Sequence, residues 1–326
     1  MQAGSNSAVL STPVVSVAIT SYNSEAVIAK AIESALAQRT GFPFEIVIAD
    51  DCSTDGTVAV AEAYQVKYPN VVRVLAREKN VGTQRNYYDL FEQCKGKYIA
   101  WLDADDFWTD PEKLAIQVKA LEDDPSVAVC GHFVRWVNPA GEVVRARFPN
   151  VSAGRHGMAQ ILVKNFLPSP SVVFRNGLHR KLPQWYFEIS PITDWLLYVV
   201  AALTGDIVLL ERVMADYTLN PTSAFWSKGY LFLHTVNADF YERVESVLPA
   251  KFHRIVRRYK GKQYEEISYI LRKQGLFSES RKAAVKAFCS PSSLDNFGSK
   301  GKSLVASLVR EAEWRLKGAQ TVSQKQ

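Results

Sequence analysis

Short apolar runs alternate with amphipathic stretches over the first third of the chain. The runs are rich in β-branched residues and predict four strands, at residues 14–20, 45–49, 71–76 and 98–102. The stretches between them have apolar positions at helical spacing and predict three helices, at residues 25–38, 57–67 and 84–94. Nearly continuous apolar strands that alternate with helices are typical of a parallel sheet covered on both faces. The pattern therefore predicts a doubly wound, mostly parallel α/β sheet.

The alternation continues less regularly after residue 110. Asp110 and Pro111 form a good helix start, so a helix is predicted up to residue 123. A hairpin is predicted around residues 139–141 because proline and glycine lie close together there. Three further strands are predicted, at residues 127–137, 171–174 and 207–210. Beyond Trp226 the pattern becomes helical.

These patterns divide the chain into three predicted parts. Residues 1–12 form an N-terminal tail, residues 13–224 form the α/β domain, and residues 225–326 form a C-terminal helical extension. The α/β domain divides again into two halves, residues 13–110 and residues 111–224. With 326 residues, 47% of them hydrophobic, the chain is long enough for one large core and a smaller second module.

Charge is distributed unevenly between these parts. The whole chain has 39 Lys and Arg residues against 33 Asp and Glu residues, a formal charge of +6. From Trp226 onward there are 19 basic and 9 acidic residues, so the extension is strongly basic and the preceding part is slightly acidic. An acidic body with a basic extension suggests that the two parts address different partners.

The sequence also gives an expectation about location. The four cysteines are far apart and form no C-x-x-C pair, which indicates reduced thiols in the cytosol. No basic segment precedes an apolar stretch at the start, so no secretory signal is expected. The longest apolar run, residues 195–203, is shorter than the roughly 20 residues that a membrane-spanning helix needs. We expect a cytoplasmic protein, with peripheral attachment to the inner face of the cell membrane left open.

Polar residues cluster directly after three of the predicted strands, at residues 20–23, 50–55 and 103–106. In a doubly wound sheet the ligand crevice lies beyond the carboxyl ends of the strands. The third cluster holds Asp103, Asp105 and Asp106, whose mutual repulsion is sensible where a hard divalent cation is bound. Such a cation would neutralise charge on a leaving diphosphate. The alternative is a solvated acidic turn that leads into a helix.

Four ordered blocks carry a resemblance to a known family. Residues 15–23, 48–57, 80–86 and 96–106 read VSVAITSYN, IADDCSTDGT, NVGTQRN and GKYIAWLDADD. In order and spacing they resemble the inverting family-2 glycosyltransferases of the GT-A fold, of the type that acts in bacterial polysaccharide biosynthesis. The resemblance implies that residues 13–110 form a nucleotide-binding half and residues 111–224 an acceptor half. It implies transfer of a sugar from a nucleotide diphosphate donor, preferably a UDP-sugar with dTDP and GDP open, to a glycan or lipid-linked glycan hydroxyl.

The resemblance also implies roles for donor-binding residues. Thr20 and Tyr22 would line the nucleobase pocket, with the tyrosine ring stacked on the base. Asp51 would accept a hydrogen bond from the base, since a carboxylate can accept from a uracil or thymine N–H. Arg85 would approach the nucleotide, and Asp103 would contact the ribose. The alternatives are that Asp51 caps a helix and that Tyr22 only packs.

The resemblance also implies a metal ligand and a general base. Asp105 would bind Mn²⁺ or Mg²⁺, which bridges the diphosphate. Asp194, which precedes a tryptophan at a predicted helix start, would be the general base that takes the acceptor proton. Its alternative is a helix N-cap. The chain departs from the family at two positions: Thr193 stands where many relatives have an acidic residue, and Asn220 stands where many have a histidine.

Two remaining features bear on partners. The basic extension has a cluster of cations with interleaved aromatic residues at positions 252–264, which suits an anionic membrane surface. The alternative there is a solvated helical cap. No nucleic-acid motif accompanies the charge, so no nucleic-acid partner is expected. The segment at residues 168–171, two prolines and two serines before a predicted strand, could shape the acceptor pocket, although a plain loop fits as well.

Three rival functions were compared with the transferase. A sugar-nucleotide nucleotidyltransferase shares this sheet architecture but would need a glycine-rich, basic loop after the first strand, where residues 21–25 read SYNSE. A non-catalytic nucleotide-sugar binding protein is disfavoured by the presence of Asp103, Asp105 and Asp194. A dehydrogenase is disfavoured because the first turn lacks G-x-G-x-x-G.

Overall fold

The computed structural model describes residues 12–188, 194–220 and 228–290. Within these residues the strands are β1 Val15–Ser21, β2 Phe44–Asp50, β3 Val72–Ala76, β4 Tyr98–Asp103, β5 Phe107–Trp108, β6 Val127–Val137, β7 Val143–Phe148, β8 Gly154–His156, β9 Val173–Arg175 and β10 Asp206–Thr218. The helices are α1 Ile28–Leu36, α2 Thr57–Lys67, α3 Thr83–Gln93, α4 Lys113–Asp123, α5 Met158–Val163, α6 Asp194–Ala201, α7 Gly229–Val244, α8 His253–Lys273 and α9 Phe277–Cys289.

One ten-stranded mixed sheet organises the first part of the chain. Its main order is β3-β2-β1-β4-β9-β6-β10-β5, with β7 added beside β6 and β8 beside β10. Strands β1 to β4 are parallel, β6 is parallel to β10, and the three-residue β9 is antiparallel to both of its neighbours. All the longer central strands therefore run in one direction, and their carboxyl ends lie at one edge. The predicted doubly wound, mostly parallel α/β sheet is confirmed.

The central strands are buried on both faces, as their continuous apolar sequences indicate. Val17 and Ile19 of β1 and Ile46 and Ile48 of β2 are fully buried. Each such side chain contributes roughly 1.5–3 kcal/mol to folding. In β1 and β2 the polar residues lie at or next to the strand ends, and the register pairs Thr20 of β1 with Asp103 of β4. The core thus fixes the positions from which the polar side chains project.

The predicted element boundaries shift at several places. Helix α4 begins at Lys113 rather than at Pro111, since the Asp110 carboxylate accepts a hydrogen bond from the Glu112 N–H at 3.0 Å and forms a turn first. The predicted strand at residues 171–174 is a short 3₁₀ turn, Ser169–Ser171, followed by β9. Strand β10 continues well beyond the predicted residue 210, because register shifts let it stay paired with β6 as far as Thr218.

The chain divides into two compact units, one formed by Met1–Phe187 with Thr193–Asn220 and the other by Glu188–Ile192 with Pro221–Gln326. Helices α7, α8 and α9 belong to the second unit, and small residues such as Ala283 and Ala287 let α9 pack closely on α8 around Tyr264. The predicted boundary at residues 224 and 225 lies outside the described residues, as does the predicted tail up to residue 11. No helix among residues 12–188, 194–220 and 228–290 is long and apolar enough to cross a membrane.

Candidate active site

Asp103, the last residue of β4, is held by four hydrogen-bond donors. Its Oδ1 accepts from Thr20 Oγ1 at 3.0 Å, from Trp101 Nε1 at 3.2 Å and from the Tyr87 hydroxyl. Its Oδ2 accepts from Ser169 Oγ at 2.5 Å. Hydrogen bonds to a charged acceptor are stronger than neutral ones, so this network fixes the carboxylate in one orientation. Asp103 is therefore a preorganised anion at the edge of the sheet.

Three donors in this network, Tyr87, Trp101 and Ser169, were not predicted from the sequence as site residues. Tyr87 lies one residue beyond the NVGTQRN block, on α3, and its ring packs edge-on against Trp101 with centroids 4.4 Å apart. A tyrosine in an amphipathic helix resembles a core residue, and its position after the block was the only signal. Ser169 lies in the segment at residues 168–171, which was considered for the acceptor pocket, and no local pattern indicates that its hydroxyl reaches Asp103.

The two aspartates that follow differ in their surroundings. Burial, followed by the nearby charge of Asp103, raises the pKa of Asp105 to about 6. The only hydrogen-bond donor to the Asp105 carboxylate among the described residues is its own backbone amide. Asp106 accepts the Thr218 N–H at 2.7 Å through Oδ1, while Oδ2 is buried and has no hydrogen-bond partner within the part of the chain that the structure describes. Burial raises the pKa of Asp106 well above its ordinary value. Asp106 therefore supports the turn, and Asp105 is available to a ligand.

Asp194 is the first residue of α6 and is partly buried. Its Oδ2 accepts from Asn165 Nδ2 at 2.9 Å, and its Oδ1 accepts the Trp195 N–H at 2.7 Å. Burial raises the pKa of Asp194 to about 6, although both hydrogen bonds act in the opposite direction. The side chain thus stays close to its ionisation point near neutral pH. Helix α6 begins at Asp194, and Thr193 before it lies outside the described residues.

Tyr217 of β10 shows that these carboxylates share one region. Burial is the main reason that its pKa is raised, and the charges of four carboxylates add to the effect. These are Asp103, Asp105, Asp106 and Asp194. Segments from the first strands and from α6 therefore meet where β10 ends, although they are about ninety residues apart in the sequence. The structure brings together four sequence-predicted residues: Asp103, Asp105 and Asp194 near Tyr217, and Thr20 through its hydrogen bond to Asp103.

Asp51 joins the end of β2 to the loop before α3. It is 5% exposed, its Oδ1 accepts the Val81 N–H at 2.8 Å, and its Oδ2 accepts the Gly82 N–H at 3.0 Å. Gly82 has φ of 85°, a conformation that favours glycine, and it leads directly into α3. Each carboxylate oxygen has further acceptor capacity, so these bonds leave room for a ligand N–H.

Tyr22 and Arg85 lie at the surface of this half. Tyr22 follows β1 and is 52% exposed, which is unusual for a residue that only packs. Its neighbour Asn23 has φ of 49° and accepts the Thr54 N–H at 2.9 Å, so the turn after β1 is tied to the turn after β2. Arg85 pairs through Nε with Asp89 at 2.8 Å and remains mostly exposed. The structure therefore places Tyr22 and Arg85 where a ligand can reach them.

The described residues test the fit of a metal at this site. Within residues 12–188, 194–220 and 228–290, no group of three or more His, Cys, Asp or Glu side chains is arranged to hold a metal ion. A cation here would therefore take few protein ligands. Asp105 fits that requirement, because its carboxylate is partly buried and destabilised by Asp103, and no other described side chain bonds to it. Mg²⁺ in particular uses one or two carboxylates together with substrate phosphate oxygens and water.

Comparisons with known proteins show the family of this chain. Residues 16–181, just over half of the chain, match the family described as Glycosyl transferase family 2. An uncharacterised protein of Mycobacterium tuberculosis, Rv1520, is 37% identical over 212 residues, which cover 64% of this chain and 60% of that protein. TuaG of Bacillus subtilis, named a putative teichuronic acid biosynthesis glycosyltransferase, is 38% identical over 109 residues, 33% of this chain and 42% of that protein. The chain thus matches only about 60% of the length of its mycobacterial relatives.

The fold is shared with a solved glycosyltransferase structure. Residues 1–349 of S. aureus TarS, solved in complex with UDP-GlcNAc, superpose with a TM-score of 0.65 at 20% identity, and the match covers 93% of this chain and 92% of that one. The superposition shows the GT-A fold, and the sequence match extends from β1 to the turn after β9, the region that supplies Asp103 and Asp105. The chain therefore belongs to the family 2 glycosyltransferases.

Proposed function

We propose that this protein transfers a sugar from a nucleotide diphosphate donor, preferably a UDP-sugar, to a hydroxyl of a glycan or lipid-linked glycan, with inversion. The observation that supports the proposal is the convergence of Asp103, Asp105 and Asp194 around Tyr217, at the carboxyl edge of the sheet. The biological setting that we propose is the assembly of cell-surface polysaccharide or glycolipid. TuaG, to which part of this chain is similar, is named for such a process.

The donor would lie along the ends of β1, β2 and β4. Thr20 and Tyr22 would line the base pocket, and the exposed Tyr22 ring is available for stacking. Asp51 would accept from the base with its remaining acceptor capacity, and Arg85 would approach the nucleotide from α3. Asp103, fixed by its four donors, would contact the ribose. These roles are expectations from the family resemblance.

Asp105 is the residue that we assign to hold Mn²⁺ or Mg²⁺ together with the donor diphosphate. When bound, the cation supplies positive charge that stabilises the developing negative charge on the leaving diphosphate. The raised pKa of Asp105 supports this assignment, because a carboxylate destabilised by burial and by Asp103 gains most from a cation. Asp106 stays bonded to Thr218 and keeps the turn in place.

Asp194 is the residue that we assign as general base. It would accept the proton of the acceptor hydroxyl while the acceptor oxygen bonds to the anomeric carbon from the face opposite the diphosphate. The bond between the anomeric carbon and the diphosphate oxygen breaks in the same displacement, and the nucleoside diphosphate leaves with the bonding electrons. A pKa of about 6 suits this role, since the group is mostly ionised at neutral pH and still basic. Asn165 and the Trp195 N–H hold it for the transfer.

The cleanest test separates donor binding from transfer. Wild-type protein, Asp105→Asn and Asp194→Asn would be compared in a thermal-shift screen of nucleotides and nucleotide sugars with and without Mn²⁺, and in an assay of sugar transfer. Asp105→Asn should lose the Mn²⁺-dependent shift and the transfer. Asp194→Asn should keep the shift and lose transfer by about 10²–10⁴-fold, the usual contribution of a general base.

The control is Asp123→Asn, an exposed aspartate at the end of α4 that pairs with Lys119. It removes one negative charge, as the other two substitutions do, from an exposed position at the end of α4. It should change neither the thermal shift nor sugar transfer. If wild-type protein responds to no sugar nucleotide with either metal, the proposed donor class is wrong. If Asp194→Asn retains transfer, the base lies elsewhere.

A second proposal concerns location. We infer a cytoplasmic protein that associates with an anionic membrane surface through α8, where a lipid-linked acceptor would be found. Arg254 and Arg258 are exposed on this helix. Glu245 pairs with the neighbouring Arg257 at 2.6 Å, so that pair leaves the charges of Arg254 and Arg258 in place. Basic residues near an anionic surface each contribute about 1 kcal/mol to binding. We expect no nucleic-acid partner.

A further inference from the structure

Three side chains from adjacent strands form a row that leads away from the acidic centre. Tyr217 of β10 is the register partner of Trp136 of β6, and Trp136 is the register partner of Arg145 of β7. The Tyr217 and Trp136 rings have centroids 6.5 Å apart, and the Arg145 guanidinium carbon lies 5.3 Å from the centre of the Trp136 ring. Register partners project from the same face of a sheet, so the three side chains lie on one face.

Arg145 is held in place by aromatic rings rather than by an acid. Its guanidinium carbon is 5.5 Å from the Phe148 ring centre, and Phe148 packs against Trp136 with centroids 4.5 Å apart. Its Nε donates to the Arg147 carbonyl at 3.1 Å. Among the residues that the structure describes, no carboxylate pairs with Arg145.

The neighbouring arginines of this hairpin are different. Arg135 forms a bidentate pair with Asp216, at 2.6 and 2.7 Å, and Arg147 pairs with Glu211 at 3.3 Å. Both therefore have an acidic partner on β10. Arg145 presents a guanidinium that is oriented by stacking and still has hydrogen-bond donors for an anion.

We propose that Trp136 and Arg145 form an acceptor subsite for a glycan that bears an anionic group, a carboxylate or a phosphate. This rests on the proposed function, because it places the acceptor hydroxyl at Asp194 and the rest of the acceptor along the row. Trp136 is only partly buried, so the exposed part of its ring can give apolar contact to a sugar, and the guanidinium can bind two anionic oxygens at once.

The charge distribution explains why the anion is bound at this distance. The carboxylates around Tyr217 disfavour an acceptor anion close to the reacting hydroxyl. Arg145 is two strand spacings from Tyr217, about 10 Å. A sugar unit that bridges this distance places its hydroxyl at the acidic centre and its anion on the guanidinium. The row therefore favours acceptors in which the anion and the attacking hydroxyl are well separated.

The test measures binding of defined probes to the full chain by calorimetry at low salt. Trigalacturonate and its neutral counterpart maltotriose are compared, and glucose 6-phosphate is compared with glucose to distinguish carboxylate from phosphate. Wild-type protein should bind at least one anionic probe about tenfold more tightly than its neutral counterpart. Arg145→Gln should remove that preference, and Trp136→Leu should weaken both the anionic and the neutral probe.

Arg147→Gln is the matched control, since it removes the same charge two residues away on the same strand. It should keep the preference. The proposal is overturned if Arg145→Gln keeps the preference, if Arg147→Gln loses it to the same extent, or if wild-type protein binds anionic and neutral probes equally or binds neither.

Donor binding is measured separately with UDP-sugars. Arg145→Gln should leave it unchanged, because Arg145 contacts none of the proposed donor residues. A protein that prefers anionic probes but binds no sugar nucleotide would contradict the proposed function and keep the subsite. The reverse result would contradict the subsite alone.

Discussion

Asn165 donates a hydrogen bond from its Nδ2 to Oδ2 of Asp194 at 2.9 Å. The amide itself is oriented, because Asn165 Oδ1 accepts the Leu167 N–H at 3.0 Å. The nitrogen must therefore face the carboxylate. Since this bond favours the charged form, Asn165 lowers the pKa of a base that burial raises. Asn165 is in this sense a positioning residue for the proposed base.

Replacing Asn165 by leucine should raise the pKa of Asp194 by about one unit, since a hydrogen bond to a charged group is worth about 1.5–3 kcal/mol and part of that is recovered from water. The acidic limb of the pH dependence of kcat/KM for sugar transfer should move upward by the same amount. The rate at pH 8 should change less than the rate at pH 6. An Asn138→Ala variant, in the hairpin between β6 and β7, serves as the control. An unshifted acidic limb would show that Asp194 is not the group that titrates.

Lys113 is a buried cation in the core. It is the first residue of α4 and 0% exposed. Its Nζ has no hydrogen-bond partner among residues 12–188, 194–220 and 228–290 and lies 4.1 Å from the Trp108 ring centre. Burial lowers the pKa of Lys113 to about 7. His132 is also fully buried, and its pKa is lowered by burial and by Lys113. Both groups therefore disfavour the folded state when they are protonated.

The sign of the resulting pH dependence follows from proton counting. Between pH 7 and the ordinary lysine pKa of about 10.4, the unfolded chain holds a proton at Lys113 that the folded chain has released. Stability due to this group must therefore rise with pH over that window. Lys113→Met should stabilise the protein by about 2 kcal/mol at pH 6, and the gain should shrink toward pH 9. Urea unfolding at several pH values measures both.

Lys119→Met is the matched control for this prediction. Lys119 lies on the same helix, is 74% exposed and pairs with Asp123. Its replacement should change the unfolding free energy by less than about 0.5 kcal/mol at every pH, as expected for an exposed pair. Equal effects of the two variants would show that Lys113 carries no special burial cost.

The membrane proposal predicts a specific loss of vesicle binding. The double variant Arg254→Glu and Arg258→Glu should sediment with anionic phospholipid vesicles at least about tenfold less than wild type, because each basic residue contributes about 1 kcal/mol. Neutral phosphatidylcholine vesicles should bind neither protein. A double variant with the same change of charge on the first unit, Lys67→Glu and Lys119→Glu, should bind as wild type does. Equal binding by all three proteins would favour a solvated helical cap.

The sequence predicts those site residues whose positions follow from local patterns of apolar and polar residues. Thr20 and Asp103 come directly after apolar runs, and parallel strands bring their carboxyl ends to one edge, so their proximity follows from the alternation of strands and helices. The acidic turn is predicted as a cation site because clustered carboxylates repel each other, and the family resemblance assigns the metal to Asp105. The structure shows Asp105 partly buried with its pKa raised to about 6, and its metal role stays a prediction.

Other contributions depend on tertiary contacts that no local pattern encodes. Ser169 and Asn165 come from an irregular segment before β9, a three-residue strand inserted antiparallel between β4 and β6. So short a strand has no periodicity from which its neighbours could be inferred. The row of Trp136 and Arg145 likewise depends on the register of a hairpin, which includes irregularities. Register of this kind is set by packing and cannot be taken from composition.

The two backbone bonds that Asp51 accepts have a consequence for ligand capture. Because Val81 and Gly82 are already anchored to the end of β2, the loop before α3 has lost its conformational freedom during folding rather than on encounter with a nucleotide. A nucleotide that binds there would displace water from a loop that is already ordered, and would not have to order the loop itself. We expect its association to be rapid, with little backbone rearrangement in this half of the protein.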